Sequence, residues 1–174
     1  MKRVLIFSVV VFAVIGCADT HKLVRMPGAN PESHLDAADS IYIAVPEDGA
    51  YGSQVYRGSG ETTAQIIQSA FARHAGRVRS GREAQSFDQA MEHAKATDSD
   101  FLVFPTILHW EERATEWSGI PDRVEVKVEV VDVGSQNTVA SAIAQGKSGL
   151  ATFGGDRPQD LLPKPVGKFV DSLY

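Results

Sequence analysis

One serine of the chain lies between two glycines, in the stretch Gly58-Ser59-Gly60, directly before a predicted helix. Backbone amides at the start of a helix can bind an anion such as phosphate. The stretch lacks the lysine of a phosphate-binding loop, and its spacing fits neither common nucleotide-binding motif. No Gly-x-Ser-x-Gly motif surrounds Ser59, so a nucleophilic serine is not indicated. The residues favour a flexible turn followed by a helix cap.

Histidine and carboxylate spacing indicates no metal or catalytic site. No two histidines are three or four residues apart, so a metal-binding pair on one helix face is not predicted. Glu111 and Glu112 are adjacent in a predicted strand, where they point to opposite faces of the sheet. We therefore predict no catalytic residue, no metal ligand and no cofactor. The five histidines are His21, His34, His74, His93 and His109.

A short basic cluster stands out in an acidic chain. Arg73 and Arg77 are followed by Arg79 and Arg82. Such a cluster can attract an anionic partner, for example lipid head groups, peptidoglycan carboxylates or an acidic protein face. The alternative is a solvated helix end, where the helix dipole favours cations.

Two tryptophans flank a charged stretch that contains an arginine. Trp110, Arg113 and Trp117 are residue types that often anchor protein interfaces, so they are candidate partner-binding residues. The alternative is one tryptophan in the core and the other stacked on an arginine.

Composition narrows the possible classes of protein. The chain has 174 residues, 43% hydrophobic and 22% charged, which suits one globular domain. Its formal net charge of -5 argues against nucleic-acid binding, which needs a basic face. A single cysteine excludes an intrachain disulfide and any metal site with several cysteines.

The N-terminus resembles a bacterial lipoprotein signal. Lys2 and Arg3 precede the apolar stretch Val4–Ile15, which is too short to span a bilayer. Val-Ile-Gly then leads into Cys17, as in a lipobox. The resemblance implies that residues 1–16 are removed and that Cys17 carries diacylglycerol and a further acyl chain such as palmitate. The alternative is a plain signal peptide followed by an unrelated cysteine.

The residues after Cys17 indicate which membrane holds the protein and where a linker lies. Aspartate directly after the lipidated cysteine resembles an inner-membrane retention signal, but Ala18 stands there, so we expect an outer-membrane anchor facing the periplasm. Residues 17–39 show no sustained period and are interpreted as the lipidated cysteine and a flexible linker. The alternative is a partly ordered segment packed along the domain, which four apolar residues favour: Leu23, Val24, Met26 and Leu35.

Residues 40–174 predict a single periplasmic α/β (α+β) domain. Its order is β-α-β-α-β-β-β-α, a small mixed β-sheet with helices on one face. A capping box of Ser86 and Gln89 starts the second helix, and Pro105 suggests a bulge or a break in pairing in the central strand. The predicted strands are Ser40–Pro46, Arg77–Ser80, Phe101–Leu108, Val124–Val130 and Thr138–Lys147. The predicted helices begin within Ser59–Thr62, at Ser86 and near Asp156, the last with an apolar stripe of Leu162, Val166, Phe169, Val170 and Leu173.

The chain must reverse direction between the central strand and the next strand. Gly119–Asp122 is the strongest turn signal there. We therefore predict that residues 109–123 form the arms and tip of a hairpin that projects past the sheet, and that this hairpin is the main partner-binding surface.

Several strings resemble an uncharacterised family of proteobacterial lipoproteins, domain of unknown function 4823. They are Tyr56–Gly60, Ile107–Trp117, Thr152–Asp156 and Pro158–Leu162. The order of elements also resembles the N-terminal domain of the translocation protein TolB and the lipoproteins that activate peptidoglycan synthases. The resemblance implies an envelope lipoprotein, but the family offers no site residues to carry over.

Together these features predict a membrane-anchored, non-enzymatic lipoprotein that binds an envelope protein or peptidoglycan, with no cofactor and no nucleic acid. The alternatives are an envelope hydrolase or transferase with a dispersed site, and a structural component of an export or envelope assembly.

Overall fold

The structure, a computed structural model, describes residues 19–26, 34–112, 121–149 and 157–174. Within these residues it has a six-stranded sheet, a two-stranded hairpin and three α-helices. The mixed α/β class and the broad order of elements are as predicted. The strands are β1 (Thr20–Arg25), β2 (Ser40–Val45), β3 (Ala50–Tyr51), β4 (Gln54–Val55), β5 (Arg77–Ala84), β6 (Phe101–Glu111), β7 (Arg123–Asp132) and β8 (Thr138–Lys147). The helices are α1 (Ser59–Phe71), α2 (Phe87–Ala96) and α3 (Pro163–Asp171), with a 3-10 turn at Pro158–Leu161.

The large sheet has the strand order β1-β8-β7-β6-β2-β5. Strand β2 runs parallel to β5 and β6, while β6, β7, β8 and β1 pair antiparallel in turn. Strand β6 is central, as predicted, and β5 lies at one edge of the sheet. The sheet therefore joins a parallel part built with helices to an antiparallel part built with hairpins.

The helices lie on both faces of the sheet, which differs from the predicted placement on one face. Ile41 and Ile43 of β2 share a core with α1 and α3, whereas Tyr42 and Ala44 of the same strand pack with α2. The reason is the handedness of the crossovers. The connection from β2 to β5 crosses the sheet in one direction and that from β5 to β6 in the other, so right-handed crossovers place α1 and α2 on opposite faces.

The irregularity in β6 lies beyond Pro105. Pro105 stays in register opposite Val128, and the shift occurs between Ile107 and His109. Pro105 is tolerated because the pairing of β6 with β2 ends at Val103, so no bond on that side needs its missing amide hydrogen. The break in pairing that Pro105 suggested is present on the β2 side, while the bulge lies three residues further along the strand.

The bulge changes which side chains of β6 reach the core. The extra residue, Leu108, resets the alternation of faces, so Ile107 and Trp110 both face the core under α1 and α3. Without the extra residue, their odd spacing would place them on opposite faces. The bulge is therefore what buries Trp110.

The segment predicted as a flexible linker contains strand β1. All six residues of β1 pair antiparallel with β8, from Thr20 opposite Lys147 to Arg25 opposite Ala142. Leu23 packs against the core, and the Asp19 carboxylate accepts the Gly149 N–H at 3.0 Å. The partly ordered alternative therefore describes residues 19–25 better than a free linker does.

Helix α1 is capped from outside its own sequence. Gly58, with a left-handed φ of 84°, is the N-cap residue, whereas a side chain within Ser59–Thr62 was predicted to cap. The Asp48 carboxylate accepts the N–H groups of Gly58 at 3.1 Å and Gly60 at 2.9 Å. A carboxylate here satisfies free amides and also complements the helix dipole.

Helix α2 begins as predicted, whereas α3 begins at Pro163, after a 3-10 turn at Pro158–Leu161, and not near Asp156 as predicted. The Ser86 hydroxyl accepts the Gln89 N–H at 3.3 Å and the Gln89 side chain accepts the Ser86 N–H at 2.9 Å, which confirms the capping box. Pro163 occupies the start of α3, where a proline is tolerated, and the predicted apolar stripe is buried. Asp156, the predicted cap of the terminal helix, lies outside the described residues.

Gly60 tests the close packing at the start of α1. A Cβ atom added there would collide with the backbone carbonyl oxygen of Pro46, which cannot move aside like a flexible side chain. We expect Gly60→Ala to lower the free energy of unfolding by about 1–3 kcal/mol, measured by urea denaturation. Gly76→Ala is the matched control, since a Cβ there meets no atom within 4 Å. Equal stability of the two variants would contradict this packing.

Candidate functional site

Three of the family-like strings meet around one pocket of about 180 Å³. We call this the motif pocket. It lies where the first turn of α1, the end of β6 and the 3-10 turn come together. Its lining residues are Tyr56, Arg57, Gly58, Ser59, Thr62, Trp110, Glu112 and Gln159.

Tyr56 ties the first of these strings to the end of β6. Its hydroxyl accepts the Glu112 N–H at 3.3 Å and donates to the Glu112 carbonyl at 3.4 Å. Its own N–H donates to the Gly49 carbonyl at 2.9 Å. The Tyr56 side chain therefore holds Glu112, the residue directly after β6, against the loop before α1.

Ser59 has a structural position rather than a catalytic one. Its side chain is buried, accepts the Gly49 N–H at 2.8 Å and donates to Asp48 at 3.4 Å. Gly49 in turn lies directly on the Trp110 side chain, with no room for a Cβ. The two glycine amides that could have bound an external anion already donate to Asp48. We call these contacts of Ser59, Gly49 and Asp48 the latch. They fix the β3–β4 hairpin, α1 and β6 to one another.

The latch holds a surface that carries apolar side chains. Tyr51, Val55 and Leu108 are 43%, 52% and 49% exposed, and they are three of the five large exposed hydrophobic residues within the described segments. The His109 ring packs edge-on against Tyr51 at 5.3 Å between centroids, which connects the hairpin to β6. We call Tyr51, Val55 and Leu108 the hairpin patch. The patch could not be predicted from the sequence, because Tyr51 and Val55 lie in a glycine-rich loop without periodicity.

Glu111 lies beside this patch as a buried carboxylate. It is 5% exposed, and its Oε2 lies 3.1 Å from Nε2 of His109. His109 and Glu111 are two residues apart in β6 and so share the face opposite Trp110. This pair joins β6 side chains next to the hairpin patch and further fixes its orientation.

The predicted tryptophan–arginine surface is divided by the structure. Trp110 is 2% exposed and belongs to the main core, so its indole does not face a partner. Arg113 and Trp117 lie outside the described residues. Strands β6 and β7 pair antiparallel up to Glu111 opposite Arg123, so the chain reverses between them as predicted.

The two basic candidates each have a carboxylate of their own chain nearby. Arg73 lies 3.3 Å and His74 2.9 Å from the same oxygen of Asp171, and Arg77 lies 3.9 Å from Asp100. The hydrogen bond from His74, and then that from Arg73, lower the pKa of Asp171. Arg73, just beyond the end of α1, therefore fits the solvated helix-end interpretation, whereas Arg77 is the first residue of strand β5.

An acidic groove of about 630 Å³, also missed by sequence analysis, lies at the opposite end of the sheet. Its carboxylates are Asp98, Asp100 and Asp132. Hydrogen bonds from the N–H and hydroxyl of Ser40, both at 2.7 Å, lower the pKa of Asp100. Bonds from Ser135 likewise lower the pKa of Asp132. Asp100 and Asp132 therefore accept hydrogen bonds at turns and strand ends, and within the described segments no three such side chains are placed to hold a metal ion.

Comparisons with other proteins identify relatives of the fold. The fold resembles that of the PelC dodecamer from Paraburkholderia phytofirmans, with a TM-score of 0.66, 15% identity, 89% of this chain covered and 96% of that one. It also resembles lipoprotein GNA1162 from Neisseria meningitidis, with a TM-score of 0.51 and 14% identity. This likeness covers 76% of this chain and 96% of that one. At these identities the likeness establishes the shared fold. No curated protein matches the sequence.

Over the described residues, no helix has the length and apolarity needed to cross a membrane.

The family comparison is more specific than the likeness of fold. The model of a domain of unknown function, DUF4823, matches residues 33–173, which include all four strings that carry the resemblance. The chain therefore belongs to the DUF4823 family.

Proposed function

We propose that this chain is a lipoprotein of the cell envelope, anchored through Cys17 to the periplasmic face of the outer membrane, and that it binds a partner instead of catalysing a reaction. The signal-like N-terminus and the position of Cys17 support the anchor. A fold shared with a neisserial lipoprotein agrees with it. Two or more acyl chains hold a protein on a membrane stably, because each buried methylene contributes about 0.8 kcal/mol.

The hairpin patch is the observation that carries the binding role. Isolated exposed hydrophobic residues are ordinary on protein surfaces. Here three large ones lie on neighbouring elements that the Tyr56 and Ser59 bonds hold rigid, so little conformational entropy is lost when a partner covers them. Full burial of one such side chain contributes about 1.5–3 kcal/mol.

The chemistry of the patch favours a protein partner over peptidoglycan. Val55 and Leu108 offer no hydrogen bonds, which a glycan strand or a peptide stem would need in exchange for its bound water. An envelope protein with a complementary apolar surface satisfies both side chains. The partly exposed His109 side chain next to them, which the buried Glu111 carboxylate holds in place, then supplies a directional contact at the rim.

Removal of the anchoring thiol tests the localisation. We expect Cys17→Ala to abolish incorporation of a palmitate analogue and cleavage at the lipoprotein site, because the chain has no other cysteine. The control Ala18→Ser should keep the label and fractionate with the outer membrane like the parent protein. Label that persists in Cys17→Ala would refute the anchor, and parent protein in the inner-membrane fraction would refute the sorting.

Removal of the apolar side chains tests the binding role. We expect the double variant Val55→Ser, Leu108→Ser to reduce crosslinked partner recovered from intact envelopes about tenfold or more, the effect of losing about 1.4 kcal/mol. Its melting temperature should change little, since both side chains are about half exposed.

Met26→Ser is the matched control. Met26 is also an exposed large hydrophobic residue, but it directly follows β1 and is not part of the hairpin patch. Unchanged recovery with the double variant would contradict the role of the patch. Recovery of this chain alone, crosslinked to itself, would instead favour a structural assembly component, the organisation that the PelC dodecamer shows.

A further inference from the structure

Strand register shows which end of the sheet lies next to Cys17. Thr20, the first residue of β1, lies opposite Lys147 at the end of β8. Lys147 lies opposite Arg123 at the start of β7, and Arg123 lies opposite Glu111 at the end of β6. We call these four residues the anchor row. The start of β1 and the β6–β7 hairpin therefore lie at the same end of the molecule.

The chain between Cys17 and this end is very short. Asp19 is fixed to the domain by the 3.0 Å bond from the Gly149 N–H to its carboxylate. Cys17 precedes Asp19 by two residues, so their Cα atoms are at most about 8 Å apart. A flexible linker of some twenty residues would instead span about 25 Å and allow the domain to tumble.

We propose that the anchor-row end rests on the phospholipid head groups of the membrane that holds the Cys17 lipid, so the domain stands with one fixed end towards the bilayer. This inference rests on the proposed lipidation of Cys17. Arg123 and Lys147 are exposed cations at this end, and their side chains can bind head-group phosphates. Glu111, the acidic member of the row, is buried and lies against His109, so it is withdrawn from that surface.

This orientation determines where a partner meets the protein. Leu108 of the hairpin patch is three residues from Glu111 along β6, or about 10 Å. The patch therefore lies close to the membrane surface, and its partner is a protein embedded in or lying on the same membrane. The acidic groove near Asp132 is nine residues from Arg123 along β7, so it is held about 30 Å from the anchor row.

The two ends of the sheet provide a matched pair of labelling sites. Thr20 begins β1 at the anchor row, and Asn137 precedes β8 at the far end of the sheet, and both are exposed. Cys17 is consumed by the lipid, so Thr20→Cys and Asn137→Cys each add the only free thiol, and both cations of the anchor row stay in place. Each lipidated full chain is labelled with a small fluorophore and placed in phosphatidylethanolamine–phosphatidylglycerol vesicles. The vesicles contain a lipid with a head-group spin label, which quenches nearby fluorophores.

We expect the label at Thr20→Cys to be quenched at least fivefold more than the label at Asn137→Cys. Ten glycine and serine residues inserted between Ala18 and Asp19 should reduce that ratio towards one, because the domain then turns freely. Equal quenching of both labels in protein that floats with vesicles would overturn the orientation alone. Protein that carries no lipid label and does not float would overturn the proposed function, and this inference with it.

Discussion

Strand β6 must pair with a parallel strand on one side and an antiparallel strand on the other. The position of Trp110 and the packing of the β3–β4 hairpin follow from how it does so. It pairs with parallel β2 over Phe101–Val103 only, but with antiparallel β7 along its whole length. The bulge at Leu108 resets the faces of the strand and turns Trp110 into the core. Gly49 then lies on Trp110, and Tyr56 bonds to Glu112 just beyond the strand. The hairpin patch is rigid because these contacts with Trp110 and Glu112 hold the hairpin on β6.

Elements with strong local signals could be predicted from the sequence. The valines of β7 alternate with charged residues, the Ser86 box satisfies backbone groups within four residues, and the terminal stripe keeps helical spacing. Strand β1 could not be predicted, because its two adjacent aliphatic residues give no clear alternation and its stability comes from the distant edge of β8. The two-faced helix arrangement needed the strand order, which a single sequence does not contain.

The candidate site shows a similar division between residues and their roles. The strings that identify the family contain the residues of the motif pocket, yet the bonds of Ser59 and Tyr56 show that these residues hold loops together. Trp110 looked like an interface residue because the position of the bulge was not visible in the sequence. The exposed side chains that support binding lie instead on the hairpin that this latch holds, where spacing gave no signal.

The proposed orientation on the membrane depends most on β1 being part of the sheet, since this pairing sets the distance from Cys17 to the anchor row. Hydrogen exchange measured by mass spectrometry on the membrane-bound lipoprotein tests it directly. If β1 is part of the sheet, the peptide covering residues 20–25 contains amides that exchange at least about a hundredfold more slowly than in an unfolded chain. Exchange of every amide of this peptide at the unfolded rate, while β8 stays protected, would contradict it.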